Sequence, residues 1–167
     1  MITRDHLKEI LDYDEETGTF SWRIDRGTMA KKGDIAGSKW TNNKTGMKYI
    51  YIYIEQKNYR AHRLAWLYVY GTIPSFIDHV NGDGWDNSIS NLREATKSQN
   101  ACNRGKTKRN TSGYKGVFLK KNTGKWYAQI HVERKLFHKG GFETPELAHE
   151  WYCIMAGKLH GEFARTS

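Results

Sequence analysis

The chain has 167 residues, room for one ordinary domain or two small ones. Lys and Arg number 27 against 18 Asp and Glu, a formal charge of +9, and 13% of residues are aromatic, so a globular chain with a polyanionic partner is expected, nucleic acid ahead of membrane. No apolar run approaches a membrane span, MITRDHLKEI lacks the apolar stretch of a secretory signal, and two unpaired-looking cysteines, Cys102 and Cys153, fit a reducing compartment rather than a disulfide framework, which leaves a soluble cytoplasmic protein as the expectation.

Leu7, Ile10 and Leu11 recur at helical spacing behind Thr3 and Asp5, which can cap a helix that ends by Asp12-Tyr13-Asp14. After a turn at Glu16 to Thr19, Phe20, Trp22 and Ile24 alternate with polar residues as a half-buried strand does. The stretch from Arg26 to Gly46 is rich in Lys, Gly, Thr and Asn and reads as a loop, in which Lys31 and Lys32 could touch phosphate. Tyr49 to Ile54 is wholly aromatic or β-branched, and Gln56-Lys57-Asn58 should turn it into Tyr59-Arg60-Ala61 as a hairpin. A helix from His62 to Tyr70 follows, with Gly71 as its C-cap and Pro74 beyond it.

Residues 76–103 then concentrate polar chemistry. Phe76, Ile77 and Val80 make a short strand with Asp78 and His79 at its end, and the turn formers from Asn81 to Asn87 cannot continue it. Leu92 to Ala95 read as a second strand, and Thr96-x-x-Gln99 has the spacing of a capping box, so a helix carrying Asn100 should begin at Lys97. An imidazole can take a proton from water near neutral pH, while carboxylate and amide oxygens suit a hard divalent cation. The oxygen-rich set Asn81, Asp83 and Asp86 does not match a calcium-loop pattern, and no CxxC pair is present to build a structural zinc site.

Asp78-His79, Asn81-Gly82-Asp83, Asn91-Leu92-Arg93 and Asn100 together resemble the ββα-metal (His-Me finger) site of the HNH endonucleases, in the phage and homing variant whose last His is replaced by Asn. The resemblance implies that His79 is the general base, that Asn91 braces the loop so His79 points correctly, and that Asp78 and Asn100 hold one divalent ion, magnesium or else manganese, against the scissile phosphate. Asn87 and Asn103 are weaker candidates, because Asn is also the ordinary residue of turns and helix ends. An Ala-His-Arg-Leu stretch also precedes the site in related nucleases, which would bring His62 and Arg63 toward the phosphate, although a His opening an apolar helix has a structural reading too.

Arg104 to Ser112 contains Arg104, Lys106, Lys108 and Arg109 without an apolar residue and reads as a flexible basic linker. Beyond it, Tyr114 to Lys120, Lys125 to Val132 and Lys135 to Phe142 are strand-like, divided by Asn122-Thr-Gly124 and by Glu133-Arg134. Trp126, Ala128, Ile130 and Val132 should face a core, leaving Tyr127, Gln129 and His131 on the other side. Thr144-Pro145-Glu146 starts a helix whose Leu147, Trp151, Met155 and Leu159 should cover the sheet.

Ser112 to Val117, Gly124 to Ile130, Gly140-Gly141-Phe142 and the Thr144-Pro145 helix start are similar to the ethylene-response-factor (APETALA-two) type DNA-binding domain. In that family the exposed sheet face enters the major groove, which nominates Lys115, Lys120, Gln129, His131 and His138, with Phe118 less firmly placed. Plant members carry several Arg and Trp there, so base reading should differ.

The expectation is therefore an α+β chain: an HNH nuclease domain over 1–103 with its ββα-metal core at about 76–103, a linker at 104–112, and at 113–167 a three-stranded antiparallel sheet packed on one helix. Its expected activity is metal-dependent hydrolysis of phosphodiester bonds in double-stranded DNA, by a phage or mobile-element enzyme acting in the infected host cell. A non-catalytic DNA-binding regulator with a decayed nuclease fold is the alternative. The sequence leaves the oligomeric state open, with a monomer as the simpler expectation, and no membrane partner is expected.

Overall fold

The computed structural model describes residues 2–28, 30–103, 105–106, 110–132 and 135–166. Arg104, Lys108 and Arg109 of the basic segment, and the turn expected at Glu133-Arg134, lie outside the described residues. The chain is α+β and divides into two compact units, Met1–Glu94 and Ala95–Ser167. The division falls before Ala95 rather than near 103, because the helix at Lys97 makes its contacts with the C-terminal 3-10 turn at Gly161–Phe163. No helix among the described residues is long and apolar enough to cross a membrane.

In the first unit, helix α1 (Arg4–Ile10) starts where the Thr3 hydroxyl accepts the His6 N–H, and it buries Leu7 and Ile10. Leu11–Asp14, expected as the helix tail, is instead strand β1, paired antiparallel with β2 (Thr19–Trp22). Leu11 satisfies both periods, but Leu11 and Tyr13 are buried while Asp12 and Asp14 are exposed, which is the alternation of a strand.

A second difference lies in the supposed loop, where Ser38–Thr41 forms β3 along the edge of β4 (Lys48–Ile54). All four β3 residues are exposed, so no alternation of burial marked it; the edge of β4 supplies its hydrogen bonds. The hairpin to β5 (Lys57–Arg60) turns at Glu55 and Gln56, one residue earlier than the sequence suggests, with both in the left-handed region at φ 47° and 61°.

Helix α2 (Ala61–Tyr70) ends on Gly71, whose φ of 76° permits the turn and whose N–H donates to the Leu67 carbonyl. Arg4 donates to the Tyr68 and Val69 carbonyls at this end, satisfying acceptors the helix leaves open. Ile52 and Ile54 of β4, Leu64 and Leu67 of α2, and Phe20 of β2 share one core. Ile77 and Leu92 join that core from β6 (Ile77–His79) and β7 (Leu92–Glu94), an antiparallel pair that forms the floor of the polar region described below.

The second unit opens with α3 (Lys97–Cys102), whose capping box is complete: Gln99 N–H donates to the Thr96 hydroxyl and Thr96 N–H to the Gln99 side chain. Strands β8 (Val117–Lys120), β9 (Lys125–Val132) and β10 (Lys135–Phe142) form an antiparallel sheet in the order β10-β9-β8. Helix α4 (Pro145–His160) begins at the Thr144 cap and packs on the side of the sheet that carries Val117, Ala128 and Ile130.

The α4 surface that seals this core is Ala148, Tyr152 and Ala156, supported by partly buried Trp151, Met155 and Leu159, whereas Leu147 is exposed. Small alanines let the helix approach the sheet, and at Gly116 a Cβ would come within 2.3 Å of the Tyr152 ring. The large residues at helical spacing named the neighbouring stripe for this reason.

Lys115 is half-buried, and its ammonium donates to the Cys102 and Arg165 carbonyls at 2.7 and 2.8 Å. Burial pushes its pKa down from 10.5 to about 8. Between these values the unfolded chain holds a proton that the folded chain has lost, so this group adds stability as pH rises. The thermal midpoint of the native chain relative to Lys115→Met is therefore expected to climb between pH 8 and 10.5. A difference independent of pH in that window would show that the ammonium is not desolvated.

Candidate active site

The register of β6 and β7 sets Asp78 opposite Arg93 and His79 opposite Leu92. Directly opposed residues project from the same face of a two-stranded sheet, so the Asp78 carboxylate meets the Arg93 guanidinium. Asp78 Oδ2 accepts from Arg93 Nε at 3.0 Å and Nη2 at 2.8 Å, with only 5% of the Asp78 side chain exposed.

His79 is buried on the opposite face. Its Nε2 lies 3.2 Å from Asn87 Oδ1. An amide oxygen only accepts, so this contact keeps the proton on Nε2 and leaves the lone pair on Nδ1. Burial pushes the His79 pKa below the ordinary histidine value, and the Asn87 hydrogen bond and the Asp78 charge offset that in part. The His62 ring stands edge-on to His79, centroids 5.1 Å apart, and burial pushes His62 well below the usual range, so the neighbour is a neutral ring.

The loop between the strands is held by its own polar groups. Gly82 takes φ 73° and donates to the His79 carbonyl, turning the chain immediately after the strand. Asn91 Oδ1 accepts the Asn81 N–H at 2.9 Å, and its Nδ2 donates to Asn81 Oδ1 and to the Asp86 carbonyl. Asp86 accepts from Ser88 through one carboxylate oxygen and from Asn81 through the other. The oxygens that suggested calcium are thus engaged by the loop's own donors.

Asn87, the weaker sequence candidate, is fully buried and is the residue that touches His79. Its carbonyl accepts the Tyr13 hydroxyl at 2.7 Å, and its side-chain amide donates to the Trp85 carbonyl. Gly18 packs against the same backbone so closely that a Cβ there would lie 2.2 Å from the Asn87 carbonyl carbon. The β1–β2 hairpin thereby fixes Asn87. No local signal separates Asn87 from a turn asparagine; only its burial does.

Asp78 and His79 thus project from opposite faces of β6, and Asn91, in the 3-10 turn before β7, bonds to Asn81 and Asp86 of the loop between the strands. Asn100 stands half-buried on α3 in the second unit, and Asn103, buried, closes that helix with its N–H on the Gln99 carbonyl. Of the positions nominated on the three-stranded sheet, Lys120, His131 and His138 are exposed and Gln129 is half-buried, away from the buried Ala128 and Ile130. Lys115 differs from them, its ammonium being tied to the two carbonyls already described.

Residues 59–102 match the model of a family described as HNH endonuclease. Protein 3.8 of Escherichia phage T7 is 32% identical over 108 residues, 64% of this chain and 88% of that protein. A protein of Acanthamoeba polyphaga mimivirus named as an uncharacterized HNH endonuclease, L560, is 32% identical over 152 residues, 88% of this chain and 74% of the relative. No solved structure matches the chain significantly.

Gly18→Ala is expected to destabilise the chain by more than about 1 kcal/mol in denaturant unfolding, since the residue would need a left-handed backbone and space that Asn87 fills. An unchanged unfolding midpoint would show that the hairpin does not grip the loop.

Proposed function

The chain belongs to the HNH endonuclease family, and we propose that it hydrolyses phosphodiester bonds in duplex DNA with the help of one divalent cation, magnesium or else manganese. The observation that carries this reading is the buried His79 whose Nε2–H is held by Asn87 Oδ1, which makes Nδ1 the basic nitrogen of the neutral ring. Neutral at physiological pH, that nitrogen takes the proton of an attacking water. Asn87 fixes the ring and its tautomer, and Asn91 keeps the loop that delivers Asn87 in shape. Asn91 is thus proposed as a brace acting at one remove.

Asp78 and Asn100 are the proposed cation-holding residues. Their chemistry fits: a buried carboxylate and an amide oxygen are hard donors. Among the described residues no three of His, Cys, Asp and Glu gather, so a cation here would keep most of its water. When bound, such an ion supplies charge that stabilises the departing oxygen. Arg93 supports Asp78 in the meantime by neutralising a carboxylate that is otherwise costly to bury.

For the second unit we propose an ethylene-response-factor-like docking role on duplex DNA. The side of the sheet turned away from α4 offers Lys120, Gln129, His131 and His138, within a segment that carries most of the chain's excess positive charge. Lys115 is left out of this contact set because its ammonium already serves two carbonyls. The relatives from a phage and a giant virus support a viral enzyme, and a mobile-element role in the cytoplasm of an infected host is the proposed setting.

His79→Ala is expected to slow nicking of supercoiled plasmid in magnesium by about 100-fold or more while leaving the DNA dissociation constant unchanged. Nicking at the native rate would remove His79 from the chemistry; a native chain that binds but never nicks would favour the regulator instead. Lys120→Ala should lower the slope of log affinity against log salt by about one. An unaltered slope would displace the docking face.

A further inference from the structure

The outer face of the β3–β4–β5 sheet, in the first unit, has no part in the site described above. In β4, Ile52 and Ile54 enter the core, so Tyr49, Tyr51 and Tyr53 project outward, and the register places Trp40 beside Tyr49 and Arg60 beside Tyr51. Trp40 is 42% exposed and Tyr53 50%. The rings of Trp40 and Tyr49 lie within 17° of parallel, centroids 6.3 Å apart, and Tyr51 meets both edge-on. The Arg60 guanidinium lies 4.6 Å from the Tyr49 ring centre and donates to the Tyr51 hydroxyl.

At the border of this face the Trp85 indole donates to the Trp40 carbonyl and sits beneath two ammonium groups, Lys39 at 4.9 Å and Lys48 at 4.3 Å. Asp83 is the acid that faces Lys48, at 3.5 Å. Residues 1–94 contain thirteen Lys and Arg and thirteen Asp and Glu, so a cationic aromatic face here is a matter of arrangement and not of composition. The rings also lead inward: Tyr49 stands 5.6 Å from His62, and His62 5.1 Å from His79. His62 is 5% exposed, and its Nδ1 is buried without a hydrogen-bond partner among the described residues.

We propose that this face binds unpaired nucleotides of the DNA substrate next to His79, with bases on the Trp40 and tyrosine rings and backbone phosphate at Arg60. Every base has a flat apolar face that an exposed indole can cover, and a paired duplex hides those faces, so the rings select a single-stranded or opened segment. The outward positions of β3, β4 and β5 hold aromatic, polar and cationic side chains and no aliphatic one, which suits a nucleotide strand better than an apolar protein surface. His62 continues the path toward the scissile phosphate with a nitrogen that no group among the described residues satisfies. This rests on the chemistry being at His79.

The test uses the full chain carrying His79→Ala, in chelator, with a fluorescein-labelled single-stranded oligonucleotide and its fully paired duplex read by anisotropy. Adding Trp40→Ala should weaken single-strand binding by about tenfold and duplex binding less, and Trp40→Phe, which keeps a ring, should restore most of the loss. Arg60→Gln should lower the single-strand salt slope by about 0.7. Unchanged single-strand affinity in both Trp40→Ala and Arg60→Gln, or an equal loss on both DNA forms, would overturn the proposal. If the native chain nicks and Trp40→Ala nicks and binds as it does, this face fails alone. If the native chain never nicks yet Trp40→Ala still loses the single strand, the face stands and the nuclease reading fails.

Discussion

A buried imidazole has two nitrogens and one proton, and the Asn87 side-chain oxygen decides which nitrogen keeps it. Much of the first unit follows from that 3.2 Å contact. Asn87 can serve only if its backbone does not move, and the apolar residues of the loop that carries it, Trp85 and Ile89, are only partly buried. The Tyr13 hydroxyl and the close approach of Gly18 supply the immobility from the N-terminal hairpin, and Asn91 supplies it from within the loop. The N-terminal hairpin and the loop, distant in sequence, thus converge on one amide. A polar network of this kind stabilises only when all its members are satisfied, which is why the oxygens of Asn81 and Asp86 are occupied by neighbouring N–H and O–H groups.

The two units divide the electrostatics. Residues 1–94 balance their charges, whereas residues 95–167 hold fourteen Lys and Arg against five Asp and Glu, the whole of the formal +9. Long-range attraction for a polyanion therefore arises from the second unit, where it is sensitive to salt. Burial is the leading influence on the His79 ring, and it outweighs the opposing hydrogen bond of Asn87 and the charges of Asp78, Asp86 and Asp83.

Local chemistry was legible where the sequence states it locally. The Thr96 and Gln99 capping pair, Gly71 as the end of α2 and the Thr144-Pro145 start of α4 depend on neighbouring residues and stand where those residues put them. Elements that exist only through a partner were not legible: β1 satisfies two periodicities until β2 pairs with it, and β3 carries no burial pattern at all. Side-chain size at helical spacing points to Leu147, Trp151, Met155 and Leu159 on α4, and the last three do pack against the core, while close packing against the sheet puts Ala148 and Ala156 at its centre. Within the site, Asp78 and His79 were marked by their place at a strand end, but the distinction between Asn87 and Asn91 lies in which amide is turned toward the ring, a tertiary property.

Helix α3 has six residues and buries none of them. Nothing in a core specifies its rotation, and so short a segment has little helical stability of its own. Its start is pinned instead by the reciprocal Thr96 and Gln99 bonds, which set the angular position of the residue one step later. The side chain at position 100 is consequently an interchangeable fitting. Another side chain could be substituted there without any buried hydrophobic contact of the helix having to be rebuilt.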